Sequence, residues 1–329
     1  LLFLSWILHL LYAALIYHTP GRHRFQGYVR KYLGRDTEKL ALGLTFFGYW
    51  GAMLAYGVLG GIFIENILGV SAYWSGLFFL VLGGILFFLS LKEVGKINFY
   101  LTLPLLVFIL ALAWLLLPDL DYANFQTPAR PDWMLPYGIL VFAFGGYSAL
   151  PDLHDVLGRN SQKLSKRIIF ISLLIAAIFY GLFILAVLGA SGAKTTPDAL
   201  AGLVPLIGKS AVIIGSLIGF LAVFTSYIIF GADLKLTFRY DYNFSPLFSW
   251  LAAFLPPLMI FLYGFTDLIK ILSLVGSLGL GVFAVLILSM VYKEREKLSG
   301  FLGFRPQAWW LLLLGVLVVW GAIQDILKL

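Results

Sequence analysis

The chain has 329 residues, of which 61% are hydrophobic and 12% charged, and its mean hydropathy is +0.96. A soluble domain of this length would have too little polar surface to face water, so the composition implies a polytopic α-helical membrane protein. The apolar residues run in blocks of about 20 rather than alternating, which excludes a β-barrel, and with no cysteine in the chain there are no disulfides, thiolate nucleophiles or cysteine-ligated metals.

Blocks long enough to cross a bilayer fall at 1–17, 40–64, 73–91, 97–117, 133–157, 166–190, 209–232, 245–264, 267–292 and 307–327. The loops between these ten predicted spans alternate in charge. Eighteen of the 23 basic residues lie on one side, among them Arg22, Arg24, Arg30, Lys31, Arg35, Lys39, Lys92 and Lys96. The other side holds Arg130, Lys194, Lys209, Lys270 and Lys328. The rich side is cytoplasmic. The net charge of +7 is therefore a signature of topology and gives no reason to expect a nucleic-acid partner. This orientation places Leu1 outside, and Leu1 already stands within an apolar run. An odd number of spans, most simply one, is expected to precede it.

In the second predicted span, Tyr49, Met53, Tyr56 and Gly60 share a helical face. Tyr56 either faces a cavity or bonds a neighbouring helix. The fifth block, from Trp133, is apolar as far as Phe144 and then reads Gly145-Gly146-Tyr147-Ser148-Ala149-Leu150-Pro151. Glycine and proline in a helix interior cost roughly 1 and 3 kcal/mol against alanine, so the helix is expected to break here. Irregular backbone at membrane depth is tolerated only where it is buried in protein or lines a cavity, and such a break marks the substrate site of many secondary transporters. Pro151 fits the first turn of a second half-helix. Ser148 is a predicted cap for that turn, with free N–H groups suited to a carboxylate. The competing reading is a proline kink with glycines for close packing.

Just beyond, Asp152, His154 and Asp155 suggest acid–base or metal chemistry, but no second cluster completes a coordination sphere. A short amphipathic helix is expected on the outer face between Thr195 and Gly208. In the seventh span Thr225 and Ser226 pair two hydroxyls, which either ligate a cation or substrate or bond back to their own helix. Asp233 stands near Lys235 at the inner end of that span and either pairs with it or serves in coupling. The ninth span carries Ser273, Gly276, Ser277, Gly279 and Gly281, a small-residue face for tight packing.

At these residues the chain resembles the aromatic and neutral amino acid permeases of the amino acid/auxin permease type, within the amino acid–polyamine–organocation superfamily. The resemblance rests on Phe142 to Pro151, on Ala186 to Thr196, and on Thr225-Ser226 with Tyr240-Asp241-Tyr242 downstream. Tyr32-Leu33-Gly34-Arg35 leading to Ala55-Tyr56 adds to it. The resemblance implies a single transporter domain over 1–329 built of five-plus-five inverted repeats. The ten visible spans would be the second to eleventh of eleven: 1–117 the remainder of the first repeat, 133–292 the second repeat, and 307–327 the extra helix. It also implies that Phe144, Gly145, Gly146, Tyr147 and Ser148 contact substrate, that Tyr56 lines the cavity, and that Thr225 and Ser226 face a sodium position. Some proton-coupled relatives carry a lysine in the helix that closes the first repeat. Here that region reads Leu101-Thr102-Leu103-Pro104-Leu105, so the coupling ion stays open between proton and sodium.

The expected activity is cation-coupled transport of an amino acid, aromatic or otherwise neutral, across the cytoplasmic membrane. The expected mechanism is alternating access, with a broken-helix bundle rocking on a scaffold and no cofactor. The alternatives are transport of another small solute on the same fold and, further off, a membrane-embedded enzyme.

Overall fold

The computed structural model describes residues 1–21, 23–88, 94–126, 134, 136–240 and 242–328, without the side chains of 94–99, 101 and 240. Arg22, Lys92, Arg130, Trp133 and Asp241 lie outside the described residues, as do the side chains of Lys96, Leu101 and Tyr240. Helix makes up 85% of the described residues, with no strand among them. In chain order the helices are α1 (Leu2–His18), α2 (Phe25–Leu33), α3 (Arg35–Leu68), α4 (Ala72–Phe88), α5 (Val94–Leu116), α6 (Tyr137–Ala143) and α7 (Ala149–Leu157). They continue as α8 (Gln162–Ser191), α9 (Val204–Tyr240), α10 (Pro246–Leu262), α11 (Leu268–Leu274), α12 (Gly281–Glu294), α13 (Ser299–Leu302) and α14 (Ala308–Ile326).

Among the described residues, six helical stretches are long and apolar enough to cross a membrane: Arg35–Leu68, Thr102–Asp119, Gln162–Lys194, Ala201–Arg239, Leu268–Glu294 and Ala308–Ile326. Leu2–His18, Ala72–Phe88 and Pro246–Leu262 are apolar but only 17 residues long, about 26 Å at 1.5 Å per residue. Three of these stretches are largely uncovered. Only 11% of the α8 window, 17% of the α5 window and 22% of the α14 window are covered by protein, leaving Ile178, Trp114 and Val316 on the outside. Such surface is unfavourable in water by roughly 25 cal/mol per Å² and belongs against lipid. The molecule is a multi-pass membrane protein.

The chain forms two compact units. The first comprises Leu1–Gly48, Asp132–Ala177 and Leu272–Leu329. Its core is α1 on α12, where Leu11, Tyr12, Leu15 and Ile16 meet Ile287, Met290 and Val291, all at most 1% exposed. Amphipathic α2 adds Tyr28, Val29 and Tyr32 to this core. Burial pushes the Tyr28 phenol up to about 12 and raises that of Tyr32. Both therefore stay neutral near pH 7, and the Tyr32 hydroxyl pairs with Thr19 Oγ1 at 2.6 Å.

The second unit comprises Tyr49–Pro131 and Ile178–Ile271. Here α9 packs against α4, α5 and α10. The fully buried Tyr227 of α9 donates to the Leu80 carbonyl at 3.1 Å. On the α3–α4 face, a Cβ at Gly61 would stand 2.5 Å from the Ala72 carbonyl and 2.7 Å from the Gly76 nitrogen, so only glycine lets the two backbones approach. The connection after α8 is more irregular than the sequence suggests. Short 3₁₀ turns at Gly192–Lys194 and Ala201–Leu203 replace the expected amphipathic helix, and α9 itself starts at Val204 and is kinked at Gly208, where φ is +79°. Buried Asp198 anchors this connection, accepting from Asn66 Nδ2 at 2.7 Å and from the Ala201 N–H at 3.1 Å.

Candidate functional site

The helix expected to break does so at Phe144–Gly145. Helix α6 ends at Ala143, Gly146–Ser148 form one 3₁₀ turn, and α7 begins at Ala149 with Pro151 in its first turn. Gly145 has φ −80° and ψ 48°, and the Gly146 N–H donates back to the Phe144 carbonyl at 3.0 Å, the form of an inverse γ-turn. Any residue can adopt that φ. Glycine is needed at 145 for space, because a Cβ there would collide with Leu280 and lie 3.0 Å from the Phe142 carbonyl.

The expected cap is absent. Ser148 has helical φ and ψ, makes no side-chain cap bond and is exposed, because the 3₁₀ turn runs straight into α7 and leaves no extended residue before it. Losing a true N-cap costs typically about 1 kcal/mol. We therefore expect Ser148→Ala to change stability by less than about 0.5 kcal/mol, checked by thermal unfolding in detergent.

The other residues of the break differ in exposure. Gly146 faces the open, Gly145 is half-buried, and Phe144 and Tyr147 are buried. The Tyr147 ring lies in an aromatic stack, 4.2 Å from the His9 ring on one side and 5.6 Å from Phe283 on the other, with interplanar angles of 22° and 27°. Helix α1 ties the break down through Ser5, whose hydroxyl donates to the Phe144 carbonyl at 3.2 Å. One turn later the His9 Nδ1–H donates to the Ser5 carbonyl at 2.8 Å. A cavity of about 540 Å³ lies against the break, lined among others by His9, Phe144, Gly146, Leu150, Asp152 and Ser172.

Two ionisable residues that the sequence reading passed over are thus central to this unit. His9 is 3% exposed and its Nε2 has no hydrogen-bond partner. Asp325, near the end of α14, is 1% exposed. Its Oδ2 accepts from the hydroxyls of Ser273 and Ser277, the former at 2.6 Å. Ser277 lies in a π-helical segment, Val275–Leu280, of a kind that often marks a functional position. The signal for both residues was present, since an ionisable side chain within an apolar span is a functional candidate by default. Asp325 escaped notice because it stands two residues before the end of its block, where a solvated acid is unremarkable.

Within the second unit, Tyr56 is half-buried with its ring 5.7 Å from that of Phe230. Tyr49 donates to the Asp233 carboxylate. Asp233 is therefore held by Tyr49, and its neighbour Lys235 instead donates to the Phe87 and Phe88 carbonyls at 2.6 and 3.1 Å. Both hydroxyls of the predicted cation pair bond to their own helix. Thr225 Oγ1 donates to the Leu221 and Ala222 carbonyls at 3.0 and 3.1 Å, and Ser226 Oγ to the Ala222 carbonyl at 2.9 Å. Of the acid cluster in the first unit, Asp152 is paired with Arg24 at 3.0 Å, both side chains being exposed. His154 Nδ1 stands 3.6 Å from Asp155.

The described residues thus form a multi-pass helical protein with an apolar helix interrupted beside a cavity. The sequence profile of the tryptophan/tyrosine permease family matches residues 1–322, and the chain belongs to that family. Membership makes it an amino acid transporter rather than an enzyme. No curated protein matches the chain.

Proposed function

We propose that the protein is a secondary active transporter that carries an aromatic or other neutral amino acid across the cytoplasmic membrane, coupled to a proton or sodium gradient. The observation that carries this reading is the interrupted membrane helix at Phe144–Ser148 in a chain of this family. In the proposed scheme the substrate carboxylate approaches the N-terminus of α7, where backbone N–H groups and the helix dipole favour an anion. Phe144, Gly145, Gly146, Tyr147 and Ser148 are the proposed substrate contacts. Tyr56 is a second proposed contact, and Thr225 and Ser226 are proposed cation ligands, which requires their hydroxyl lone pairs while their hydrogens stay on the helix carbonyls.

The architecture we propose is the five-plus-five inverted repeat of the amino acid–polyamine–organocation superfamily, working by alternating access to a site near the bilayer midplane. A neutral substrate is favoured because the residues of the break offer no counter-ion for a charged side chain. Sealed proteoliposomes containing the purified protein test the scheme. Radiolabelled tyrosine, tryptophan, serine and alanine would be followed under a sodium gradient, a proton gradient and neither. We expect accumulation of the aromatic pair under one of the gradients. Equilibration without accumulation would make the protein a facilitator or exchanger. Preferential competition by arginine or glutamate would overturn the neutral preference.

A further inference from the structure

His9 has an acceptor with nothing to accept. Its Nδ1 lies 2.8 Å from a backbone carbonyl, that of Ser5, and a carbonyl oxygen only accepts. Nδ1 must therefore carry the hydrogen, which leaves a lone pair on Nε2. That nitrogen is buried, has no partner, and faces the backbone of Gly146, where a Cβ would stand 3.4 Å away. An unpaired buried acceptor is destabilising, and the stack on Tyr147 together with the Ser5 bond holds the ring so that it cannot turn away. The ring also lines the cavity beside the break. Of the other polar side chains there, Asp152 is already bonded to Arg24.

We propose that His9 Nε2 accepts a hydrogen bond from the α-ammonium of the bound amino acid. This rests on the transport reading above. If the carboxylate sits at the N-terminus of α7, the ammonium one carbon away falls at the level of Gly146, where the absent side chain leaves the path to Nε2 open. An indole N–H or phenol O–H would lie further along the substrate, away from the break. A bond from an ammonium to a neutral imidazole is charge-assisted and stronger than a neutral pair. His9 is thus a substrate-binding residue on α1, outside the interrupted helix itself.

The test compares tryptophan with indole-3-propionate, which lacks only the ammonium, as competitors of radiolabelled tryptophan uptake in proteoliposomes. The wild-type protein is expected to bind tryptophan the more tightly. In His9→Leu that preference is expected to fall about tenfold, through weaker tryptophan binding alone. His9→Met serves the same purpose should the leucine variant fail to insert. His9→Gln, whose amide oxygen reaches close to the Nε2 position, is expected to keep most of the preference. A preference unchanged in the apolar variants would overturn the proposal. So would equal weakening of both competitors, which would reduce His9 to a packing role, or a wild-type protein indifferent to the ammonium. Absence of any gradient-driven amino acid uptake by the wild-type protein would instead overturn the transport reading on which the proposal rests.

Discussion

Gly276→Ala is expected to abolish transport and to destabilise the protein by on the order of 3 kcal/mol. Gly276 lies in the π-helical segment, and a Cβ on it would run into the carbonyl of Gly138 on α6. The obstacle is backbone, so no rotamer change relieves it, and the two helices would have to separate by on the order of 1 Å to restore a normal carbon–oxygen contact. The crossing is closed from the other side too. A Cβ on Gly138 would meet the Ser273 carbonyl at 2.5 Å and collide with the Asp325 carboxylate and the Ser277 hydroxyl. Gly138 is fewer than two turns before the break at Phe144–Gly145, so a displaced α6 carries the break with it. Gly279→Ala is the control. Its Cβ would find nothing nearer than 3.7 Å, and stability and transport should both stay close to wild type. Thermal unfolding and uptake measured on the same preparations check both variants. Equal behaviour of Gly276→Ala and Gly279→Ala would show that α6 and the π-helical segment are not locked at this crossing.

That crossing also shows what the sequence can and cannot tell. The small residues from Ser273 to Gly281 read as a packing face, and the reading holds at Gly276. The partner helix was beyond reach, because a glycine states only that something comes close. The break at Gly145-Gly146 was legible since glycine and proline carry large helix penalties in their own right. Its detail was less so. Ser148 looks like a cap because serine before a helix usually is one, and the local sequence does not reveal that a 3₁₀ turn delivers the chain already coiled. Thr225 and Ser226 show a different limit. A hydroxyl in an apolar helix always has the nearby carbonyl of its own helix as an acceptor, so its sequence position says little about what else it binds. His9 and Asp325 were readable as types, ionisable groups in apolar blocks, but their partners come from far along the chain: Phe144 and Tyr147 for the Ser5–His9 turn, Ser273 and Ser277 for Asp325.

The second large effect is expected at Asp325. Its Oδ2 takes two serine hydroxyls while Oδ1 has no hydrogen-bond partner, so one buried oxygen fastens α14 to the segment that crosses α6. Tyr137 makes a parallel tie, donating from α6 to the Val318 carbonyl of α14 at 3.0 Å. Asp325→Ala removes the acceptor, leaves a hole among α6, α14 and the π-helical segment, and sends both serines back to their own helix carbonyls. The expected loss is about 2–4 kcal/mol, accompanied by loss of transport because α6 and the break are no longer fixed. Asp325→Asn separates shape from charge. Its amide keeps the volume, and its oxygen in the Oδ2 position keeps both serine hydroxyls; replacing a buried carboxylate by a neutral amide offsets the nitrogen left where Oδ1 has no partner, so the fold should stay within about 1 kcal/mol of wild type. A double-mutant cycle with Ser277→Ala should give a coupling of about 1–3 kcal/mol if the hydroxyl and carboxylate act as one unit. Additive losses would reduce Asp325 to a space-filling residue. Asp325→Asn folding normally but failing in uptake would place the negative charge itself in the transport cycle.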